Sequence, residues 1–172
     1  LILHILREEQ VIVPRGSDIL CQGDSIRVLV SADTVNFLLP IIHRHPPSIR
    51  HIIILGSTRI ALQLAEQLEK RKIRVTVIES DPEHAEDVAA HLTHVNVLLG
   101  EGTELSVLEE ASIETCDLFC ALTDDDQRNM LTALLAQKNG AKKIAVLVNQ
   151  TEYVPVLDSL GAEIVINPQL VT

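Results

Sequence analysis

The residues of this chain best suited to chemistry fall in four short clusters: Gly56-Ser57-Thr58-Arg59-Ile60-Ala61, Glu79-Ser80, Gly100-Glu101-Gly102-Thr103 and Thr123-Asp124-Asp125-Asp126. The first occupies the place of a G-x-G-x-x-G phosphate-binding turn and keeps only the first glycine. Such a turn aims the free N–H groups of a helix N-terminus at a phosphate, and Ser57, Thr58 and Arg59, ahead of Ile60, add side-chain donors. Thr58 stands where a glycine would let the backbone approach a pyrophosphate. Ala61 replaces the glycine that lets helix and strand pack closely, which is a smaller change. Weakened or altered nucleotide binding is therefore expected. Glu79 follows Gly56 by 23 residues, the place from which a carboxylate holds a ribose diol by two hydrogen bonds and repels the additional phosphate of NADP. The competing reading is a solvated strand end.

The aspartate run also has two readings. Thr123 with Asp126 three positions later resembles a capping box, and acids suit a helix N-terminus, while Asp124 also suits a ligand-facing edge. The pair His43 and His45 falls in a Pro-rich linker and the pair His91 and His94 lacks a nearby carboxylate or Cys at ligand spacing, so structural or solvent roles are expected rather than a metal site. The run Lys70-Arg71-Lys72 falls at an expected helix end, where cations complement the dipole.

The elements that must position these residues are legible as a period. Apolar runs at 52–55, 75–78, 95–99, 118–122, 144–148 and 164–166 alternate with helical stretches, which predicts β-α-β units around a buried parallel sheet. Asp81-Pro82 opens one helix, Thr123 and the aspartates open another, and Gly140 and Gly161 stand where left-handed caps belong. Right-handed crossovers then favour a Rossmann-like, doubly wound α/β sheet of order 3-2-1-4-5-6. All four clusters follow strands at their carboxyl ends, the edge where such sheets bind ligands. Before this pattern, short apolar runs broken by Pro14, Gly16 and Gly23 predict a three-stranded meander, and 32–42 has helical spacing. The prolines of 43–50 mark a linker. The expected organisation is a small β-rich segment over 1–42, a linker over 43–50 and the α/β domain over 51–172.

Composition narrows the function. The chain has 172 residues, 47% hydrophobic and 2% aromatic, and a formal net charge of −10. That acidity repels nucleic acid and anionic lipid surfaces, and so few rings leave little to stack unpaired bases. No apolar run reaches the roughly 18 residues of a membrane span. Cys21, Cys116 and Cys120 are odd in number and lack CxxC spacing, which suits reduced thiols in the cytoplasm. The start at Leu1, without a Met or a leader, reads as a cut from a longer chain.

The stretch Leu118-Phe119-Cys120-Ala121-Leu122-Thr123-Asp124-Asp125-Asp126, with Asn129 and Leu134-Leu135-Ala136, resembles the regulator-of-potassium-conductance (RCK, TrkA-N) domain of Trk potassium-uptake regulatory subunits. Gly100-Glu101-Gly102-Thr103 resembles that family's GDA(T/S)-like turn, with Glu101 in place of Asp. Residues 1–40 resemble the end of the C-terminal subdomain of a preceding repeat. The resemblance implies a regulatory rather than catalytic domain that binds NAD(H) or ATP, ADP or AMP. It also implies assembly as a dimer or ring under a membrane potassium transporter subunit, on the cytoplasmic face. The helix surface around residues 133–136 is a candidate for such a contact, with core packing the alternative. The rival function is an orphan Rossmann domain of an NAD-dependent oxidoreductase or a methyltransferase. Against it, nothing after residue 150 has the length of a substrate domain.

Overall fold

The computed structural model describes residues 2–7, 10–31, 34 and 49–169. The expected helical stretch at 32–42, apart from Thr34, and the linker at 43–48 lie outside the described residues. The chain divides into two compact units, Leu1–Ser48 and Ile49–Thr172.

In the first unit, strands β1 (Ile2–Arg7), β2 (Gln10–Ile12) and β3 (Ser25–Val28) form an antiparallel sheet of order β2-β1-β3. The predicted meander is thereby corrected, because β1 is the central strand. β2 has three residues and leads into Pro14 and the turn at Gly16, so the chain returns along the other side of β1, pairing Ile5 with Ile26. One ion pair ties the return: Arg7 donates to Asp24 through Nε at 2.8 Å and Nη2 at 2.7 Å. The Arg7 side chain and the Cys21 N–H hold the Asp24 carboxyl at about 2.

The second unit is a six-stranded parallel sheet of order β6-β5-β4-β7-β8-β9, the doubly wound order expected. Its strands are β4 (His51–Leu55), β5 (Arg74–Glu79), β6 (Val95–Leu99), β7 (Leu118–Ala121), β8 (Ile144–Leu147) and β9 (Ile164–Ile166). Its helices are α1 (Arg59–Lys70), α2 (Pro82–His91), α3 (Leu105–Glu110), α4 (Asp126–Lys138) and α5 (Val154–Ser159). Side-chain alternation divides the core. Ile52, Ile54, Val75 and Val77 pack with Ala61, Ala65 and Leu68 of α1 and Val88 of α2. Ile53, Leu55 and Ile78 pack on the other face with Leu108, Ala133, Ala136 and Leu157. Because both faces are covered, β4 after His51 and all of β8 are apolar rather than alternating.

Local chemistry sets the helix ends. Asp81 caps α2, accepting from Glu83 N at 2.9 Å and His84 N at 3.1 Å, with Pro82 in the first turn. Helix α4 ends at Gly140, whose φ of 114° lets Ala141 N reach back to Ala136 O. The capping box expected from Thr123 and Asp126 is not formed. Asp125 caps α4 instead, accepting from Arg128 N at 3.0 Å. Asp126 is buried and turned sideways, accepting from the N–H groups of Asn149 and Gln150, each at 2.9 Å. A side-chain acceptor with neighbouring donors to satisfy serves them before a distant cap. Of the alternatives for 133–136, Ala133 and Ala136 take the core reading, being fully buried under β7 and β8.

Candidate functional site

At the carboxyl edge of the sheet, the turns after β4, β5 and β7 enclose a cavity of about 390 Å³ lined by Gly56, Ser57, Thr58, Glu79, His84, Thr123, Asp124, Asp125 and Arg128. Gly56 is required where it stands. Its φ is 93°, and a Cβ there would lie 2.8 Å from Thr123 Cγ2 and 3.2 Å from Thr123 Cα, so a side chain would collide with the opposite wall.

Thr58 is the N-cap of α1. Its φ of −57° suits a β-branched residue, its hydroxyl donates to Leu122 O at 2.7 Å, and it accepts from Ala61 N at 3.4 Å. The Thr58 hydroxyl is thus engaged with the end of β7. Arg59 and Ile60 begin the helix, so their N–H groups have no intrahelical acceptor. No acid in the first turn offsets the dipole. Their side chains are exposed, and neither lines the cavity.

Glu79 ends β5 and is 8% exposed. Its Oε1 accepts from Ser80 N at 2.7 Å and Asp81 N at 3.0 Å. Burial pushes its pKa upward, but the Asp81 N–H, the Ser57 hydroxyl, the Ser80 N–H and the nearby His84 outweigh it. The carboxyl is therefore held below its ordinary value, as an anion. Glu79 is not a freely solvated strand end; it also organises the turn into α2.

The remaining sequence candidates take other places. The Ser80 hydroxyl accepts from Arg128 Nη2 at 3.1 Å, and Glu101 forms an ion pair with the same guanidinium. Gly100 extends the β5–β6 ladder, donating to Glu79 O at 2.8 Å. Gly102 is a packing glycine, because a Cβ would fall 2.4 Å from Leu55 Cδ1. Below it lies Thr132 Oγ1, a buried side-chain atom without a hydrogen-bond partner. Thr103 is exposed and outside the cavity. The cluster 100–103 therefore borders the cavity through the Glu101–Arg128 pair rather than lining it.

Sequence reasoning gave no role to His84 or Arg128, placed Asp125 only in the aspartate run that opens a helix, and carried Asn129 only in the stretch that resembles the family. Asn129 is fully buried: Nδ2 donates to Thr123 O at 2.8 Å and Leu147 O at 2.9 Å, and Oδ1 accepts from Thr123 N at 2.9 Å and Thr123 Oγ1 at 2.6 Å. It fixes the Thr123 wall of the cavity to β8. Its place in the stretch that resembles the family was the available signal. Beside the cavity, sharing Ser57 and His84 with it, an apolar groove of about 220 Å³ runs between α1 and α2 past Leu62, Val88 and Leu92. Among the described residues no cluster of His, Cys, Asp or Glu has metal-holding geometry, and no helix is long and apolar enough to cross a membrane. Cys116 and Cys120 are buried, and burial pushes their thiols to about 11 and about 12.

Known proteins share both sequence and fold. The chain is 36% identical over 173 residues to the Trk system potassium uptake protein TrkA of Azorhizobium caulinodans, across 99% of this chain and 38% of that protein. It is 33% identical to the Halomonas elongata protein of the same name, across 98% of this chain and 36% of the relative. The chain thus spans well under half the length of these relatives. Among solved structures, the GsuK RCK domain superposes with a TM-score of 0.65 at 20% identity, covering 96% of this chain and 35% of the other. The GsuK channel bound to NAD gives 0.61 at 23% identity, covering 77% and 26%. The Kef C-terminal domain of Shewanella denitrificans in AMP-bound form gives 0.60 at 15%, covering 70% and 73%. The TrkA-N domain family model matches residues 52–168, all of the parallel sheet but its first residue, with the cavity at its edge, and the chain belongs to that family.

Proposed function

We propose that this chain is the nucleotide-sensing regulatory part of a potassium-uptake system and takes NAD(H) or an adenine nucleotide such as ATP, ADP or AMP. The observation that carries the reading is the meeting of an ionised, buried Glu79 with the turn of Gly56, Ser57 and Thr58 and the start of α1 around one cavity. In this reading the ribose hydroxyls donate to Glu79. The phosphates lie toward the N–H groups of Arg59 and Ile60 and the side chains of Ser57, Thr58 and Arg59. Ser80 and the residues 100–103 border the adenosine side, and Thr123 and Asp124 the opposite wall. Fold relatives that bind NAD, the GsuK channel, and AMP, the Kef C-terminal domain, support a nucleotide as the ligand class.

The role is regulatory rather than catalytic, in keeping with the Trk relatives. Occupancy of the site is passed to a membrane potassium transporter subunit at the cytoplasmic face, by copies of the chain assembled as a dimer or larger ring. Residues 1–42 form the end of a preceding repeat, 43–50 the linker and 51–172 the nucleotide domain.

Calorimetric titration with NAD, NADH, ATP, ADP and AMP tests the reading. At least one is expected to bind with Kd below about 1 mM, with no hydride transfer when simple alcohols or acids are added to the NAD complex. Binding by none of the five, or measurable nicotinamide reduction, would overturn it. Light scattering at high micromolar concentration is expected to show a dimer or larger; a monomer counts against the assembly.

A further inference from the structure

Arg128 is the guanidinium among the residues lining the cavity, and neither its spacing nor the family pattern singled it out. From the first turn of α4, which follows β7, it reaches the Ser80 hydroxyl after β5 and Glu101 after β6, so one side chain crosses the end of β4 to the neighbouring strands β5 and β6. The wall around it is predominantly acidic, with Glu79, Asp124 and Asp125 set against Arg128 and His84. A phosphate entering that wall needs a fixed cation. The present partner of Arg128 is a weak competitor, because the two side chains are 30% and 47% exposed and an ion pair at that exposure is screened by water and salt. A phosphate offers the same planar fork two acceptors and more charge than one carboxylate oxygen.

Resting on the nucleotide reading above, we propose that Arg128 is the phosphate-recognising residue of this site, held by Glu101 in the empty state and exchanged onto the ligand's phosphate when an adenosine phosphate binds. The exchange makes the site selective for phosphorylated adenosine over adenosine itself. It also makes release of Glu101, on the turn after β6, the first structural consequence of binding.

Titration of the full chain with adenosine, AMP and ADP, in parent and variants, tests the exchange. Arg128→Gln is expected to weaken AMP and ADP by about tenfold or more and to leave adenosine unchanged. Glu101→Gln is expected to tighten AMP severalfold relative to adenosine. In the double variant the gain from Glu101→Gln disappears, which separates release of Arg128 from simple loss of a negative charge. Unchanged AMP affinity in Arg128→Gln, equal loss for adenosine and AMP, or a Glu101→Gln gain that survives in the double variant would each overturn the proposal while leaving the nucleotide site standing. If none of these ligands binds the parent, the site reading itself falls and the exchange falls with it.

Discussion

At the scale of single residues, the site is built from groups that do two jobs. Glu79 accepts from the N–H groups of Ser80 and Asp81 through one oxygen while standing in the cavity wall. Removing it therefore costs both binding and fold. Glu79→Ala is expected to weaken NAD or ATP about ten- to a hundredfold and to destabilise the chain by about 1–3 kcal/mol, because two backbone donors lose their acceptor. Glu79→Gln keeps an acceptor for that turn, so it should lose affinity with a smaller change in melting temperature; paired titration and thermal unfolding read both. Gly56 behaves differently. Gly56→Ala forces a side chain onto Thr123 at a positive φ, and chemical denaturation should show a loss of about 1–3 kcal/mol. Thr58→Gly loses the Leu122 contact and only a few tenths of a kcal/mol of capping, and it should give no large gain in nucleotide affinity.

At the scale of elements, strand-to-strand staples decide the geometry of the edge. Asn129 satisfies both backbone groups of Thr123 and the carbonyl of Leu147 from inside α4, so the turn after β7 is fixed to the end of β8. Asn129→Leu preserves apolar bulk but strands those groups. With about 1–3 kcal/mol for each buried group left unpaired, it should lower stability by roughly 3 kcal/mol or more, visible as a fall in melting temperature by circular dichroism. Asp126 does the same work one turn earlier for Asn149 and Gln150. Both side chains belong to a stretch that reads in sequence as helix start and caps. The partners of Asp126, and the Leu147 partner of Asn129, are about twenty residues further on and become neighbours only when β7 and β8 pair. Strand positions, by contrast, were legible because a strand buried on both faces must be apolar throughout, and the runs at 52–55 and 144–148 fall on β4 and β8.

At the scale of the whole molecule, the buried polar groups at the opposite edge of the sheet set a pH dependence. His51 is 4% exposed, with Nδ1 3.3 Å from the Thr115 hydroxyl and Nε2 3.3 Å from that of Thr76. Burial first, and then Arg74, lowers its pKa below 6.5, against the smaller upward pull of Asp117 and Thr115. The unfolded chain then binds a proton that the folded chain refuses, so stability falls as pH drops through the ordinary histidine value and is unaffected above it. Urea midpoints measured from pH 7.5 to 5 should decline, and the decline should flatten in His51→Gln. Asp117 acts in a separate, more acidic window. The Lys142 side chain and the Arg50 N–H hold it at about 2, so its contribution is present above the ordinary carboxylate value of 3.8 and is lost as pH falls toward 2.

The sequence by itself determined the α/β class, the six strands, their order and the edge at which the polar clusters collect, because alternation of buried strands and helices is local and crossover handedness is general. It also marked Gly56 and Glu79, each of which directly follows or ends a strand. Only the tertiary structure decided which of the nominated residues share a cavity. His84 and Arg128 arrive there from helix turns whose rotation is fixed by the packing of α2 and α4 on the sheet, and Thr103 is carried away from it. The meander could not be separated from the observed β2-β1-β3 order for the same reason. Which side of β1 receives β3 depends on pairing across a loop from 13 to 24, and no local period records that choice.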